Sequence, residues 1–417
     1  MIYLELAIIF SQLYIFSHLY KNKINIVSLN CLLWAFLLVI NRIYFPADFN
    51  GEFYIVIGVS CFNLFHILGR HLSLTEQSND GFWISYNKDD LFKVILLFSI
   101  FEIIRVILIY REVMSLAKSF AYFLAQNTAV RNLYLERKTP FVMKVLMNVV
   151  NYFSYVGVIL IALYNGQEYG KKKKIKIKLL FLFWAISEIV VGLLTMSKMG
   201  IVAMFLIYFF PFYYSIGNRK KQIKCLVNSI PIIFILFSTF FIIIGLQRHY
   251  ADNFSDLVTK VFEKAAYYVI SPIQAFFQII QKPDWNSKSG SVLLKFTSKM
   301  GSLIGLWPKG DSGNHLTFIK IGNSVTNVYT AFGIFYMDFG SMAIFIESII
   351  IGFFSGFIYG KGKNTIYSLA LYGSYSMGVF MSFYTYMQGQ TIYMMFPFFA
   401  YFMDKYFLRY HIKQGVK

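Results

Sequence analysis

Charge is the scarcest thing in this sequence. Only 14% of its 417 residues are Asp, Glu, Lys or Arg, while 57% are apolar; an ordinary soluble protein carries about 25% charged and about 45–50% apolar residues. A water-soluble fold of this length has too much surface to cover with so few charges. Soluble enzymes, nucleic-acid binders and disordered tails are excluded on that count. Cysteine is scarce as well. Cys31, Cys61 and Cys225 each sit inside an apolar block, without paired spacing, so neither a disulfide framework nor a zinc site is supported. The common signatures of soluble chemistry are missing: there is no Gly-rich phosphate loop, no His-Glu-x-x-His, no nucleophile elbow, no paired-carboxylate spacing and no Asp-x-Asp. No basic region precedes the first apolar stretch, so no cleavable signal peptide is expected. Gly and Pro do not recur at matched places in two halves, which speaks against an inverted-repeat transporter.

What is present is a series of apolar blocks of about 17 to 25 residues, the length that crosses a hydrocarbon core. The expected fold class is therefore all-α and polytopic, a single transmembrane domain over 1–417. About eleven spans are predicted, near 2–20, 25–45, 53–69, 91–110, 140–164, 178–196, 199–217, 225–246, 334–359, 365–386 and 391–408. Basic residues outnumber acidic ones 39 to 20, and their clusters fall on alternate connections: Lys21 and Lys23, Arg70, Lys171 to Lys178, Arg219 to Lys224, Lys361 and Lys363, and the tail from Lys405. All can be cytoplasmic at once, as the positive-inside rule requires, which puts the N-terminus outside and the C-terminus inside. Two long connections then face outward: a first external loop at 111–139 and a large, helical one at 248–325. Both are net positive, so that face reads either as Lys-rich loops on anionic headgroups or as a surface for a phosphorylated substrate.

Charged residues inside the hydrocarbon are costly and default to functional hypotheses. Glu102 and Arg105, three apart, share a helix face and can pair. Glu188 and Glu347 have no local cation and need partners on other helices or a proton. Lys198 falls in the turn expected between the sixth and seventh spans, where it either snorkels to headgroups or meets a phosphate. Arg248 and His249 open the large loop: the arginine offers a planar fork suited to phosphate oxygens, and the histidine titrates near neutral pH. From Ser255 to Ile280 the pattern is an amphipathic helix interrupted at Pro272, with Tyr267, Tyr268, Phe276 and Phe277 along it. Such aromatics fit an interfacial belt and equally a platform for sugar rings.

The end of the large loop reads Gly322-Asn323-Ser324-Val325-Thr326-Asn327-Val328-Tyr329-Thr330, followed by Asp338-Phe339-Gly340. This resembles the Asn-x-Tyr…Asp-Phe-Gly signature of bacterial oligosaccharide repeat-unit polymerases, the Wzy-type enzymes of O-antigen and capsule assembly. Tyr268…Pro272…Phe276 looks like that family's Tyr-x-x-x-Pro-x-x-x-Phe stretch, Arg248 stands where members place a basic residue just outside a span, and Ser197-Lys198-x-Gly200 is similar to a Ser-Arg turn in the middle of these proteins. Lys198 departs from the more usual arginine, and an odd number of spans departs from the even number often assigned. The resemblance covers about 185–360 in detail.

It implies a fold similar to the polyprenyl-phosphate-dependent (GT-C-like) glycosyltransferases. It also implies a metal-independent transfer, without cofactor, of a glycan from undecaprenyl diphosphate to a second lipid-linked repeat unit. The place would be the outer face of the bacterial cytoplasmic membrane, towards the periplasm or cell exterior. The substrates are undecaprenyl-diphosphate-linked oligosaccharides, and a chain-length regulator and a flippase of the same pathway are possible partners; no nucleic acid is expected. The site residues so implied are Arg248 at the donor diphosphate, with Lys198, Arg111 and Arg131 as supporting cations. Asp338 or His249 would be the proton acceptor, and Tyr268, Asn327 and Tyr329 would contact the substrate. Two rival readings are an O-antigen ligase, which differs in its acceptor, and a lipid-linked oligosaccharide flippase, which would show an outward cavity without a large structured loop.

Overall fold

The computed structural model describes residues 2–20, 25–46, 48–73, 88–117, 119–137, 140–167, 175–195, 198–216, 218, 220–229, 254–281, 318–322, 324–361, 365–387 and 391–408. The described elements are helices α1 (Ile2–Leu19), α2 (Ile26–Tyr44), α3 (Phe49–Ser73), α4 (Lys88–Ala117), α5 (Phe120–Ala125), α6 (Asn127–Glu136), α7 (Phe141–Gln167), α8 (Ile175–Thr195), α9 (Lys198–Ser215), α10 (Phe254–Ile280), α11 (Ala331–Phe339), α12 (Ser341–Lys361), α13 (Ile366–Phe380) and α14 (Thr391–Met403). One two-residue hairpin joins β1 (Ile319–Ile321) to β2 (Ser324–Thr326), with Lys320 opposite Val325.

Five of the described helices are long and apolar enough to cross a membrane: α2, α3, most of α7, α8 and most of α12. They coincide with five of the expected spans, and the chain is an all-α, multi-pass membrane protein. Shorter apolar helices occupy Tyr3–Leu19, Gly200–Ser215 and Ala266–Ile280. The span expected near 225–246 lies mostly outside the described residues. Large apolar side chains stand exposed along the outer faces of several helices, such as Leu32 and Phe36 on α2 and Ile346, Ile350 and Phe354 on α12. Water does not tolerate such patches; lipid does.

The chain divides into two compact units, 1–80 with 263–362 and 374–394, and 81–262 with 363–373 and 395–417. In the first unit, α12 lies along α3 at backbone contact. Gly352, Gly356 and Gly360, spaced by four, form one face of α12, and a Cβ on any of them would run into the α3 backbone at Phe62, at His66 and at Arg70 to Ser73. Gly69 does the same from the α3 side, towards Phe353 and Phe357. In lipid, where apolar burial between helices gives no gain over the acyl chains, small residues that let backbones meet are the main source of helix association. An apolar cluster of the same unit gathers Trp34, Ile55, Val59, Phe276, Phe277, Tyr329, Phe332, Phe335 and Ile344.

In the second unit α4, α7, α8 and α9 pack together. Trp184 of α8 fills the space left by Gly157 of α7 beside Phe98 of α4, and Gly166 lets α7 reach Ser215 and the Phe212 carbonyl of α9. The segment expected as a loop at 111–139 holds the end of α4, then α5, capped by Ser119, which accepts from the Tyr122 N–H at 3.1 Å, and the amphipathic α6.

Two expectations are corrected. The 255–280 helix is not interrupted at Pro272; α10 runs through it, the lost hydrogen bond to the Tyr268 carbonyl and the ring's crowding of that carbonyl being offset by burial of Ile273, Phe276 and Phe277 in the turns that follow. The stretch expected as one ninth span is two helices. Gly340 takes φ 76, a conformation open to glycine and strained for other residues, and the chain turns a corner between α11 and α12.

Gly356→Val should lower the stability of the purified protein by about 3 kcal/mol, the upper range for overpacking, and cut its folded yield. Phe354→Leu on the exposed face of the same helix should stay within about 0.5 kcal/mol. Thermal unfolding in detergent reads both; equal midpoints for the two variants would contradict the glycine contact.

Candidate functional site

The first unit carries the motif residues on a continuous piece of unusual backbone. The hairpin turns at Gly322, φ 58, and Thr326 then folds back, its hydroxyl accepting from the Val328 N–H at 3.1 Å. Thr330 caps α11: its hydroxyl accepts from the Gly333 N–H at 3.0 Å and its carbonyl from the Ile334 N–H at 3.1 Å. The Ala331 N–H donates across to the Ser382 carbonyl at 2.7 Å, and the Ser382 hydroxyl accepts from the Trp34 indole N–H at 3.1 Å. Ser382 belongs to a turn that follows α13, where the expected tenth span stops being helical. The segment is held from the side by α10, through Tyr336 donating to the Ile280 carbonyl at 3.3 Å and Gln278 to the Lys320 carbonyl at 3.2 Å. The backbone is irregular at two places, and both are satisfied by protein partners. Irregular backbone at membrane depth survives only where it is buried in protein or lines a cavity.

Two carboxylates sit at the corner. Asp338 ends α11 at 2% exposure, and Glu347, half-buried on α12, is close enough to feel its charge. Tyr386, in the turn after α13, faces Glu347. Its neighbour Tyr384 faces Tyr268 of α10. Carboxylates accept protons from hydroxyls, and tyrosines offer both a ring face and a polar tip to a sugar.

The implied site residues therefore fall in several places. Tyr268, Asn327, Tyr329 and Asp338 all belong to the first unit. Tyr268 and Asn327 are half-buried; Tyr329, 1% exposed, is a core side chain packed over Gly333. In the second unit Arg111 is exposed and Arg131 half-buried. Lys198 begins α9 instead of lying in a turn. Arg248 and His249 lie outside the described residues. Sequence reasoning passed over Ser382, Tyr384 and Tyr386, although Phe383-Tyr384-Thr385-Tyr386 was visible as a polar-aromatic end to an apolar block.

Beside Arg111, Glu112 pairs with Arg137, whose guanidinium lies 3.6 Å over the Tyr134 ring. The charges expected inside the hydrocarbon also find partners. Arg105 meets Glu102 at 3.2 Å, as its spacing predicts, and Glu188 of α8 at 2.5 Å, which supplies the distant cation that Glu188 required. Ser154 of α7 donates to Glu102 at 2.5 Å.

No family model matches the chain, and no solved structure matches it. Among curated proteins it is similar to an O-antigen polymerase of Shigella dysenteriae, 29% identical over 161 residues. The likeness is to a polymerase. It covers 39% of this chain and 40% of that protein, so the chain matches well under half of the relative's length. Among the described residues no three His, Cys, Asp or Glu side chains group as a metal site.

Burial raises the Glu112 carboxyl above the ordinary carboxylate range by more than Arg137 lowers it. The folded chain thus holds this proton more readily than the unfolded one. The stability it contributes is complete below the unfolded carboxylate pKa and is lost as pH rises through the folded one. Glu112→Gln should therefore flatten the fall in stability as pH rises above the ordinary glutamate value of about 4.3, read as thermal midpoint against pH. Parallel curves for parent and variant would show that this carboxyl is not linked to folding.

Proposed function

We propose that the chain is a repeat-unit polymerase of bacterial surface polysaccharide. The observation that carries this reading is the similarity to an O-antigen polymerase in a chain that is itself an all-α membrane protein. The motif segment 319–340 supports it, because it forms a built, fully tied corner and not a plain span end.

In this reading the substrates are oligosaccharides carried on undecaprenyl diphosphate, and the reaction takes place on the outer face of the cytoplasmic membrane. A hydroxyl of the acceptor's terminal sugar attacks the anomeric carbon at the reducing end of the donor glycan. A glycosidic C–O bond forms as the bond from that carbon to the diphosphate oxygen breaks. The electron pair leaves with undecaprenyl diphosphate, and the hydroxyl proton passes to a base. Negative charge develops on the diphosphate, so fixed cations aimed at it lower the barrier. Arg248 takes that role, with Lys198, Arg111 and Arg131 supporting, and these permanent charges let the transfer proceed without a metal. Tyr268 and Asn327 contact sugar. Asp338 or His249 accepts the proton, and Glu347, the more exposed carboxylate of the corner, stands beside Asp338. A flippase and a chain-length regulator of the same pathway are the expected partners.

Purified protein incubated with one defined lipid-linked repeat unit should yield a ladder of longer lipid-linked glycans. Arg248→Ala should abolish the ladder at unchanged membrane levels, and Arg248→Lys should restore it only in part, because a point charge cannot reproduce the two-pronged contact. Asp338→Asn should cut turnover by about 100-fold or more if Asp338 is the base, with donor binding retained. Movement of the lipid-linked unit across the bilayer without bond formation would favour a flippase and overturn the reading; transfer to a different acceptor without a ladder would favour a ligase.

A further inference from the structure

The second unit carries a charge imbalance in its interior. Two carboxylates, Glu102 and Glu188, share one guanidinium, Arg105, and all three are buried. Arg105 meets both through the same nitrogen: Nη1 is 3.2 Å from each Glu102 oxygen and 2.5 Å from Glu188 Oε2. Glu102 is further satisfied by the Ser154 hydroxyl at 2.5 Å. Glu188 is not. Its Oε1 is buried and has no hydrogen-bond partner among the described residues, although the side chain is 1% exposed.

A glycine lies against that oxygen. A Cβ on Gly200 of α9 would stand 2.7 Å from Glu188 Oε1 and would meet no atom within 4 Å other than those of Glu188 among the described residues. Among the described residues, the other ionisable group facing the cluster is Tyr155 of α7, which carries no positive charge; the Lys198 side chain lies outside what the structure describes. A net negative charge inside a membrane bundle is costly unless it is compensated. An ion pair here would be complete with one carboxylate; the second asks for another positive charge.

We propose that Glu102, Arg105 and Glu188 form an intramembrane binding site for one monovalent cation, shared between the two carboxylates. A proton and a sodium ion are the two sources of that charge. The site is separate from the residues assigned to glycosyl transfer, and its test involves no transfer, so the two readings stand or fall independently.

The test uses the full chain, purified and held in lipid nanodiscs at neutral pH. A bound proton gives the infrared carbonyl band of a neutral carboxylic acid. Bound sodium raises the thermal midpoint in sodium chloride over choline chloride at equal ionic strength. The parent protein should show one of these signatures, and the signature identifies the ion. Glu188→Gln and Glu102→Gln each leave one carboxylate on one guanidinium, so loss of the signature in either variant, eluting as monodisperse protein, supports the site. If the parent shows neither signature, or if the signature survives in both variants, the proposal is overturned.

Discussion

The backbone contact between α3 and α12 is the constraint on which the first unit depends. Lipid provides no hydrophobic force to hold two apolar helices together, so association rests on how closely their backbones meet. Gly352, Gly356 and Gly360 supply that closeness against Phe62, His66 and Arg70, while the opposite face of α12 presents Ile346, Ile350 and Phe354 outward. With α12 fixed along its length, the start of the helix is fixed too. That start is the Gly340 corner, with Asp338 two residues before it and Glu347 seven residues after it along α12.

From the corner the consequences run outward. Because α12 begins at Ser341, the apolar residues before it cannot continue the same helix, and they form the short, buried α11 instead. A short helix in an apolar interior must have its ends satisfied. Thr330 and the Ser382 carbonyl do this at one end, and Gly340 N–H to the Tyr336 carbonyl at the other. The Ser382 carbonyl is available because the chain after α13 is no longer helical. The two breaks therefore explain each other, and together they bring Tyr386 towards Glu347. The second unit solves a different problem, that of buried charge, by placing one arginine between carboxylates of two helices.

Much of this was legible in the sequence, for reasons that differ by residue. Apolar block length found the long helices, because hydrocarbon thickness sets it. The spacing of Glu102 and Arg105 announced their pairing, and the isolation of Glu188 announced a distant partner without saying which; only packing brings α8 to α4. The Gly352, Gly356, Gly360 spacing was readable and was passed over, because the block was read for hydropathy and not for small residues. The Gly340 corner was not readable from hydropathy at all, since Phe339 and the residues beyond Gly340 continue an apolar run. Tyr329 carries a ring that suits a sugar, and its burial is a tertiary fact. Pro272 was read as a break, as its lost hydrogen bond and the clash of its ring with the preceding turn suggest; the burial of Ile273, Phe276 and Phe277 that carries the helix through it is a tertiary fact.

The central claim is that glycan chains are handed whole from one carrier lipid to a repeat unit on another. Its most direct test is the position of the newest sugar. Chains begun with unlabelled lipid-linked units and briefly extended with labelled ones, then digested inward from the end remote from the lipid, reveal where the label sits. En bloc transfer predicts label next to the carrier, at the reducing end of every extended chain. Label at the far end would mean that single units are added to a stationary chain, and it would contradict the account.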